Sequence, residues 1–301
     1  MRKAKYALIR FYSEFDTYLK AVLKFVLAFS LFSSICALPG EAGIFELLTI
    51  RLMFSAFCAI LPANGLVLIA AIFVEAKFWG GSLVSGLAGG VVLFVFLLFY
   101  FSFIPEQGYI VAVTALFLGL KVPLAVPVVC GLLCGSGTLA GIIFGTAAYY
   151  GTVSLGLWEP GSQVLGTELA DEFLTLIMSF WKNQEAAFML VILTAVFLVV
   201  YLIRRLPVRY SWSLAILSGT VSYGLLRGME ALFLKGSVSL VLFLLDLLAG
   251  AAAGLAVQFF AFDLDYEKVQ HLQFEDDDYY YYVKAIPKME AVMQKKGDEG
   301  S

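Results

Sequence analysis

Long apolar segments separated by short polar ones make up most of the chain. The apolar segments cover residues 21–38, 45–76, 82–104, 109–158, 186–203, 212–226 and 238–262. A helix that crosses the hydrocarbon core of a bilayer needs about 20 mostly apolar residues. The pattern therefore predicts an all-α, polytopic bundle of seven or eight transmembrane helices.

Two of these segments contain residues that interrupt a helix. Segment 45–76 carries Pro62 near its middle, so it forms either one broken span or two short ones. Segment 109–158 is interrupted by "GLKVPLAVP" and "GSG". It predicts a short helix, a break at Lys121 to Pro123, and further helices beyond the break.

The chain begins with a basic segment whose apolar residues fall on one helical face. This pattern favours an amphipathic helix in the headgroup layer, and a signal peptide is the weaker alternative because no clean cleavage site follows. A second amphipathic segment lies in an acidic loop between two apolar runs. The predicted regions are an interfacial helix (1–20), an N-terminal membrane region with broken helices (21–158), an extracytoplasmic loop (159–185), a C-terminal three-helix membrane region (186–262) and a cytoplasmic tail (263–301).

The tail combines strand-like composition with a turn. "KVQHLQF" and "YYYYVKAI" flank "EDDD", which predicts a small β-hairpin. Three roles remain open for the tyrosine run, Tyr279, Tyr280, Tyr281 and Tyr282: a docking or self-pairing edge, a phosphorylation target, or a plain membrane-proximal cap.

Composition changes the class of protein under consideration. Hydrophobic residues make up 61% of the 301 and charged residues only 14%, against about 25% charged in soluble domains. Polar side chains could not cover a soluble fold of this kind, so the lipid bilayer is the expected surrounding partner. The net charge of −3 gives no indication of a nucleic-acid partner.

Motifs for chemistry are missing from the sequence. It has no phosphate-binding loop, no nucleophile elbow and no zinc-protease motif, and its one histidine is His271 in the tail. Cys130 and Cys134 lie one helical turn apart without a third ligand nearby, which is weak support for a metal site. We therefore expect no enzyme, no cofactor and no metal, and an ATP-driven transporter would need a separate ATPase subunit.

The distribution of Lys and Arg predicts orientation. Arg204, Arg205 and Arg209 cluster in one short loop, and the N-terminal segment is also basic, whereas the 159–185 loop is acidic. Cytoplasmic loops are enriched in basic residues, so the N-terminus, the arginine loop and the tail are placed in the cytoplasm of a cell membrane. This placement needs an even number of crossings, such as four, between Leu38 and Glu159.

Small residues recur every four positions within the apolar segments. Such spacing lets another helix backbone approach closely. Internal packing is the favoured interpretation, with self-association as the alternative. The candidate packing positions are Gly86, Gly90, Gly137, Gly141, Gly145, Gly250 and Gly254.

Two features predict a functional site within the membrane. Pro123 and Pro127 each remove a backbone donor near Lys121, and broken helices of this kind build substrate sites in transporters. Asp246 lies inside an apolar run, where a carboxylate is costly, and Arg51 is a conceivable partner for it. A kinked helix and a structural ion pair are the corresponding structural alternatives.

Four quoted segments together resemble a known group of proteins: "ALIRFY…FD.Y", "LKVPLAVPVVCGL", "VVYLIRRLPVRYSW" and "VQFFAFDLDYEKVQHLQFEDDDYYYYVKAIPK". The chain is similar to polytopic bacterial integral membrane proteins, some of which are labelled transporter permeases. The resemblance implies a cytoplasmic-membrane protein of a Gram-positive-type cell and implies no activity. Two functions follow as hypotheses: a permease-like component that binds a small solute at the broken helix, or a scaffold that recruits a partner through its tail.

Overall fold

The computed structural model describes residues 15–38, 43–81, 83–156, 178, 183–208, 210–234, 239–261, 270–275 and 280–285. Within these residues the chain forms ten α-helices, two short 3-10 helices and two strands. The helices are α1 Asp16–Cys36, α2 Leu48–Ile60, α3 Ala63–Gly81, α4 Leu83–Phe103, α5 Gly108–Gly119, α6 Ala125–Leu133, α7 Thr138–Gly156, α8 Gln184–Arg204, α9 Ser211–Leu234 and α10 Leu240–Ala261. The 3-10 helices are Gly43–Glu46 and Pro105–Gln107, and the strands are β1 Gln270–Glu275 and β2 Tyr280–Ala285.

The first broken segment forms two helices rather than one kinked span. Leu61 is extended, as expected for a residue before proline, and α3 begins directly after Pro62. The Leu61 carbonyl, which α2 leaves without a helical partner, accepts a hydrogen bond from Lys24 Nζ at 3.4 Å. Arg51 near the start of α2 bonds Ser33 near the end of α1, so α2 runs back along α1.

The third and fourth helices are antiparallel neighbours joined at both ends. A Cβ on Gly89 would lie 2.1 Å from Phe78, so the helices touch closely beside their connection. At the other end the Tyr100 hydroxyl donates to Asn64 Oδ1 at 2.7 Å. Tyr100 is fully buried, so this hydrogen bond holds α3 and α4 together at that end.

Two apolar clusters form the interior of the helical part. In one of them Phe32 of α1 stacks on Phe73 of α3, with ring centroids 4.4 Å apart. The other surrounds α6 and includes Leu124, Phe197 and Tyr223 from three different helices. Between helices in a bilayer such residues stabilise the fold through van der Waals packing, because lipid chains are as apolar as the side chains themselves.

Five of the described helices are long and apolar enough to cross a membrane, and the protein is therefore compatible with a membrane-embedded state. The five segments are Tyr18–Cys36, Ala63–Gly80, Gly86–Phe103, Gln184–Arg204 and Leu240–Ala261. The predicted count of seven or eight is not confirmed, because α2, α5 and α6 have only 13, 12 and 9 residues and α7 and α9 are not among the five. At 1.5 Å per residue, each of those three short helices is shorter than the roughly 30 Å hydrocarbon core.

Several predicted boundaries differ from the observed ones. Helix α1 continues through Lys20 without a break, so the described part of region 1–20 belongs to a longer helix. Helix α9 extends to Leu234, eight residues beyond the predicted end at Leu226, and Arg227 and Glu230 pair within the added part. Apart from Met178 and the residues from 183 onward, the predicted amphipathic loop 159–185 lies outside the described residues.

The chain divides into two compact units, and the second begins at Phe259. Within it, β1 and β2 pair antiparallel, with Gln270 opposite Ala285 and Glu275 opposite Tyr280. Tyr279 lies outside the described residues. The predicted cytoplasmic location of this segment and its docking role stay predictions.

Candidate functional site

Helix α5 ends in a defined C-terminal motif at the predicted break. Lys121 has φ 58°, the left-handed conformation that glycine usually occupies after a helix. Its N–H bonds the Leu118 carbonyl at 3.0 Å, and the Val122 N–H bonds the Phe117 carbonyl at 2.9 Å. This pair of bonds is a Schellman motif, which satisfies carbonyls that the helix end leaves open.

Helix α6 begins at Ala125, four residues after Lys121, with Leu124 as its N-cap. Pro127 occupies the third position of this helix, where a backbone N–H has no helical acceptor in any case. Lys121 and Pro123 lie in the break, and Pro127 lies inside the regular first turn of α6.

The α5 and α6 pair forms a hairpin that enters and leaves the bundle at the same end. Helix α5 runs parallel to α7, because Gly141 contacts Ile110 and Gly145 contacts Thr114. Helices α7 and α8 are antiparallel. Ser154 near the end of α7 accepts a hydrogen bond from Asn183, the N-cap of α8, at 2.8 Å.

The return path of α6 follows from its contacts with later helices. Gly131 packs on Val200 near the end of α8, and Cys134 lies near Arg204, the last residue of α8. The start of α6 packs on Gly250 and its next turn on Gly254, so α6 runs parallel to α10. The turn between α5 and α6 is thus the tip of a helical hairpin that turns back within the bundle, and we call it the hairpin tip (Lys121–Leu124).

Asp246 of α10 holds the hairpin tip. Its Oδ1 accepts a hydrogen bond from the Leu124 N–H at 3.2 Å, and its Oδ2 accepts one from the Tyr223 hydroxyl. Asp246 is 4% exposed, and Leu124 and Tyr223 are fully buried. Asp246 lies six positions after Leu240, the first residue of α10, which places it about 9 Å along that helix.

The charge of Asp246 complements the helix that it caps. An α-helix has a partial positive charge at its N-terminus, where the first N–H groups have no helical acceptor. The carboxylate accepts the N–H of the N-cap residue and faces this end of α6. This contact explains how a carboxylate is accommodated inside an apolar run.

A row of polar groups continues from Asp246 along one face of α9. Tyr223, Arg227 and Glu230 follow at helical spacing, and Arg227 donates to Glu230 through a charge-assisted hydrogen bond. Arg227 also interacts electrostatically with Asp246, and with the buried Tyr150 of α7. We name this set the polar row (Asp246, Tyr223, Arg227, Glu230 and Tyr150).

Sequence reasoning missed most of the polar row. Arg227 and Glu230 follow an apolar run at the point where a span of ordinary length would end, so they resembled a membrane boundary. Their separation by three positions was the available signal, because such residues share a helix face and can pair. Tyr223 carries no charge and gave no signal.

Arg51 does not lie with Asp246. Its Nη1 donates to Ser33 Oγ at 3.4 Å, and its Nε is buried and has no hydrogen-bond partner in the part of the chain that the structure describes. Close to it, Lys77 Nζ lies 2.9 Å from Glu46 Oε1. The structure therefore separates the two charged candidates into different helical groups.

The predicted packing glycines mostly serve internal contacts. A Cβ on Gly250 would lie 2.4 Å from Leu124 Cγ, and one on Gly254 would lie 2.9 Å from Val128 Cγ1. Similar close approaches occur at Gly86, Gly90, Gly141 and Gly145. Gly137 has no such neighbour within 4 Å, because it precedes α7 rather than lying within it.

Comparison with known proteins gives no match to this chain among family models, curated proteins or solved structures. The resemblance to bacterial permease-like proteins stays a prediction.

The described residues contain no group of three or more His, Cys, Asp or Glu side chains that could hold a metal ion. The hairpin tip can instead act through protonation or charge competition. A carboxylate accepts at both oxygens, whereas a neutral carboxyl group must donate from one of them. Neutral Asp246 would keep one acceptor and would lose the charge that faces α6.

Proposed function

We propose that the protein is a permease-like component of a bacterial cell membrane that binds a small solute at the hairpin tip. The observation that supports this proposal is the carboxylate of Asp246 on the start of the re-entrant helix α6. Interrupted helices near the bilayer midplane form the substrate and ion sites of many transporters. Non-helical backbone at that depth is tolerated where protein or a water-filled cavity surrounds it.

The proposed mechanism begins with release of the hairpin tip. A proton or a cationic solute group that takes the charge of Asp246 weakens its bond to the Leu124 N–H. The freed N–H groups then become available to the solute, and the hairpin moves relative to α10. Arg227 and Glu230 supply further charges along the path from the tip.

Transport is testable before the solute is known. Proteoliposomes containing the full chain are placed on a solid-supported membrane and exposed in turn to pools of amino acids, sugars and organic cations. The proposal expects a transient current with at least one pool, lost in Asp246→Asn and partly kept in Asp246→Glu. A current unchanged in Asp246→Asn, or none with any pool, would contradict it.

The tail supports a second function, a scaffold that recruits a protein partner. In the described residues β1 and β2 form a two-stranded sheet, so each strand has one edge without a described neighbour. An edge strand can pair with a strand of another protein. Deletion of 273–301 is expected to abolish co-purification of a partner from native membranes while leaving solute-driven currents intact.

Mass spectrometry of the co-purified material separates the two functions. Recovery of an ATPase that survives deletion of 273–301 supports the permease. Recovery of envelope proteins that depends on 273–301 supports the scaffold.

The arrangement of helix ends supports a finer topology within this proposal. Helices α1, α3, α4, α7, α8, α9 and α10 each cross in this topology. Helix α2 has 13 residues, about 20 Å, so its crossing includes the extended residues Leu47 and Leu61 at its two ends. This gives eight crossings, and the hairpin of α5 and α6 does not cross. The N-terminus, the arginine loop and the tail then share the cytoplasmic side. A cysteine replacing Arg209 should react with an impermeant thiol reagent only in opened vesicles, and one replacing Glu168 should react in intact cells. The opposite labelling pattern would reverse this orientation.

A further inference from the structure

A partly open apolar cavity lies between helices α3 and α4 and the helices packed beside them. The cavity has a volume of about 340 Å³ and is lined by five helices, α1, α3, α4, α5 and α7. Along α3 its lining extends from Val67 to Phe78, which corresponds to about 16 Å. It is an elongated space rather than a round one.

Small side chains create this space. Its walls include Ala70 and Ala71 on α3, Ala115 on α5, and Ala148 and Gly151 on α7. Interiors of folded proteins are normally packed with few voids larger than a water molecule. A gap of this size among helices compatible with a membrane is suited to an apolar occupant, because its lining offers few polar partners to water.

Polar groups lie at one end of the cavity. Leu38 and Phe78 line that end, and the Leu38 carbonyl accepts a hydrogen bond from the neighbouring Lys77 at 3.1 Å. A second pocket of about 320 Å³ flanks the same last turn of α1 and is lined by Ser33, Cys36, Ala37, Glu46 and Arg51. Among the described residues, none gives the buried Nε of Arg51 a hydrogen-bond acceptor.

We propose that one bilayer phospholipid occupies these two spaces, with an acyl chain in the apolar cavity and its phosphate at Arg51. A hydrocarbon chain matches the length and apolar lining of the cavity. A phosphate oxygen would give the Arg51 Nε its missing acceptor, and arginine suits phosphate because its donors are planar and permanently charged. The site is separate from the hairpin tip, so it depends on the membrane placement and not on transport.

The experiment uses the full chain purified in a steroid-based detergent and titrated with tritiated dioleoyl phosphatidylglycerol. Saturable binding of about one lipid per chain is expected. Ala71→Phe and Ala148→Phe fill the cavity from different helices, and each should weaken binding by at least about tenfold, since the ring displaces two or more methylene groups. Ala256→Phe adds the same side chain at an exposed position of α10 and should change binding less than twofold.

The placement of the phosphate at Arg51 is tested by comparing a lipid that has a phosphate with one that lacks it. Arg51→Gln should weaken phosphatidylglycerol binding about tenfold. The same variant should leave binding of dioleoylglycerol, which has no phosphate, unchanged.

Thermal unfolding of each variant shows whether the chain still folds. If one cavity-filling variant does not fold, the other alone tests the cavity site. Purely non-saturable uptake, or equal losses in the cavity variants and in Ala256→Phe, would overturn the cavity site. An equal effect of Arg51→Gln on both lipids would overturn the assignment of phosphate to Arg51.

Discussion

The close contact between α10 and the hairpin tip gives a quantitative prediction at Gly250. In Gly250→Ala the new Cβ would lie 2.4 Å from Leu124 Cγ and 2.9 Å from Leu124 Cβ. Leu124 is fully buried and cannot turn away into solvent. The helices must therefore separate, and overpacking of this kind costs about 1–3 kcal/mol.

Gly224→Ala on α9 provides the matched control. Its new Cβ would lie 3.8 Å from Leu247, which is an ordinary van der Waals distance. Replacing glycine by alanine inside a helix gains up to about 1 kcal/mol of helix propensity, and both variants share that gain. The difference between the two variants therefore isolates the packing cost of about 1–3 kcal/mol.

The assay is unfolding of the purified chain by sodium dodecyl sulfate in mixed micelles, followed by far-ultraviolet circular dichroism. Gly250→Ala should be less stable than Gly224→Ala by the stated amount. It should also lengthen the bond from the Leu124 N–H to Asp246, which is 3.2 Å, and raise hydrogen exchange at Leu124. Equal stability of the two variants, with no change in exchange, would refute the packing argument.

Two further contacts give predictions in the same unfolding assay. Tyr100→Phe removes the hydroxyl that donates to Asn64 and should cost about 1–3 kcal/mol, because it leaves a part-buried acceptor unpaired; an unchanged midpoint would count against this bond. Asn183→Ala removes the cap of α8 and the bond to Ser154 and should cost about 1–2 kcal/mol, whereas Asn183→Asp keeps the cap and should lose less; equal losses in both would show that the cap contributes nothing.

The sequence predicted the positions of local features better than their partners. Pro62 and the segment around Pro123 located both helix breaks, because proline and the residue before it restrict the backbone wherever they occur. Asp246 was conspicuous because a carboxylate in an apolar run is rare. The spacing of Gly250 and Gly254 indicated a close helix contact without naming the helix that makes it.

Partners could not be predicted, because charge complementarity contains no information on distance. Arg51 was the nearest match in charge for Asp246, yet a backbone N–H and a tyrosine hydroxyl supply the actual contacts. The hairpin was missed for a related reason. Two short helices look like pieces of one broken span until contacts with α7 and α10 show that the chain turns back.

The bond between Leu124 and Asp246 joins positions 122 residues apart in the chain. During synthesis at about 5–20 residues per second, the ribosome adds that stretch in about 6–24 s. For this interval the start of α6 has been made and its capping carboxylate has not. The last described helix, α10, therefore supplies the cap of a helix made much earlier. A nascent chain stalled before α10 would expose the uncapped start of α6 to any factor that supervises membrane insertion.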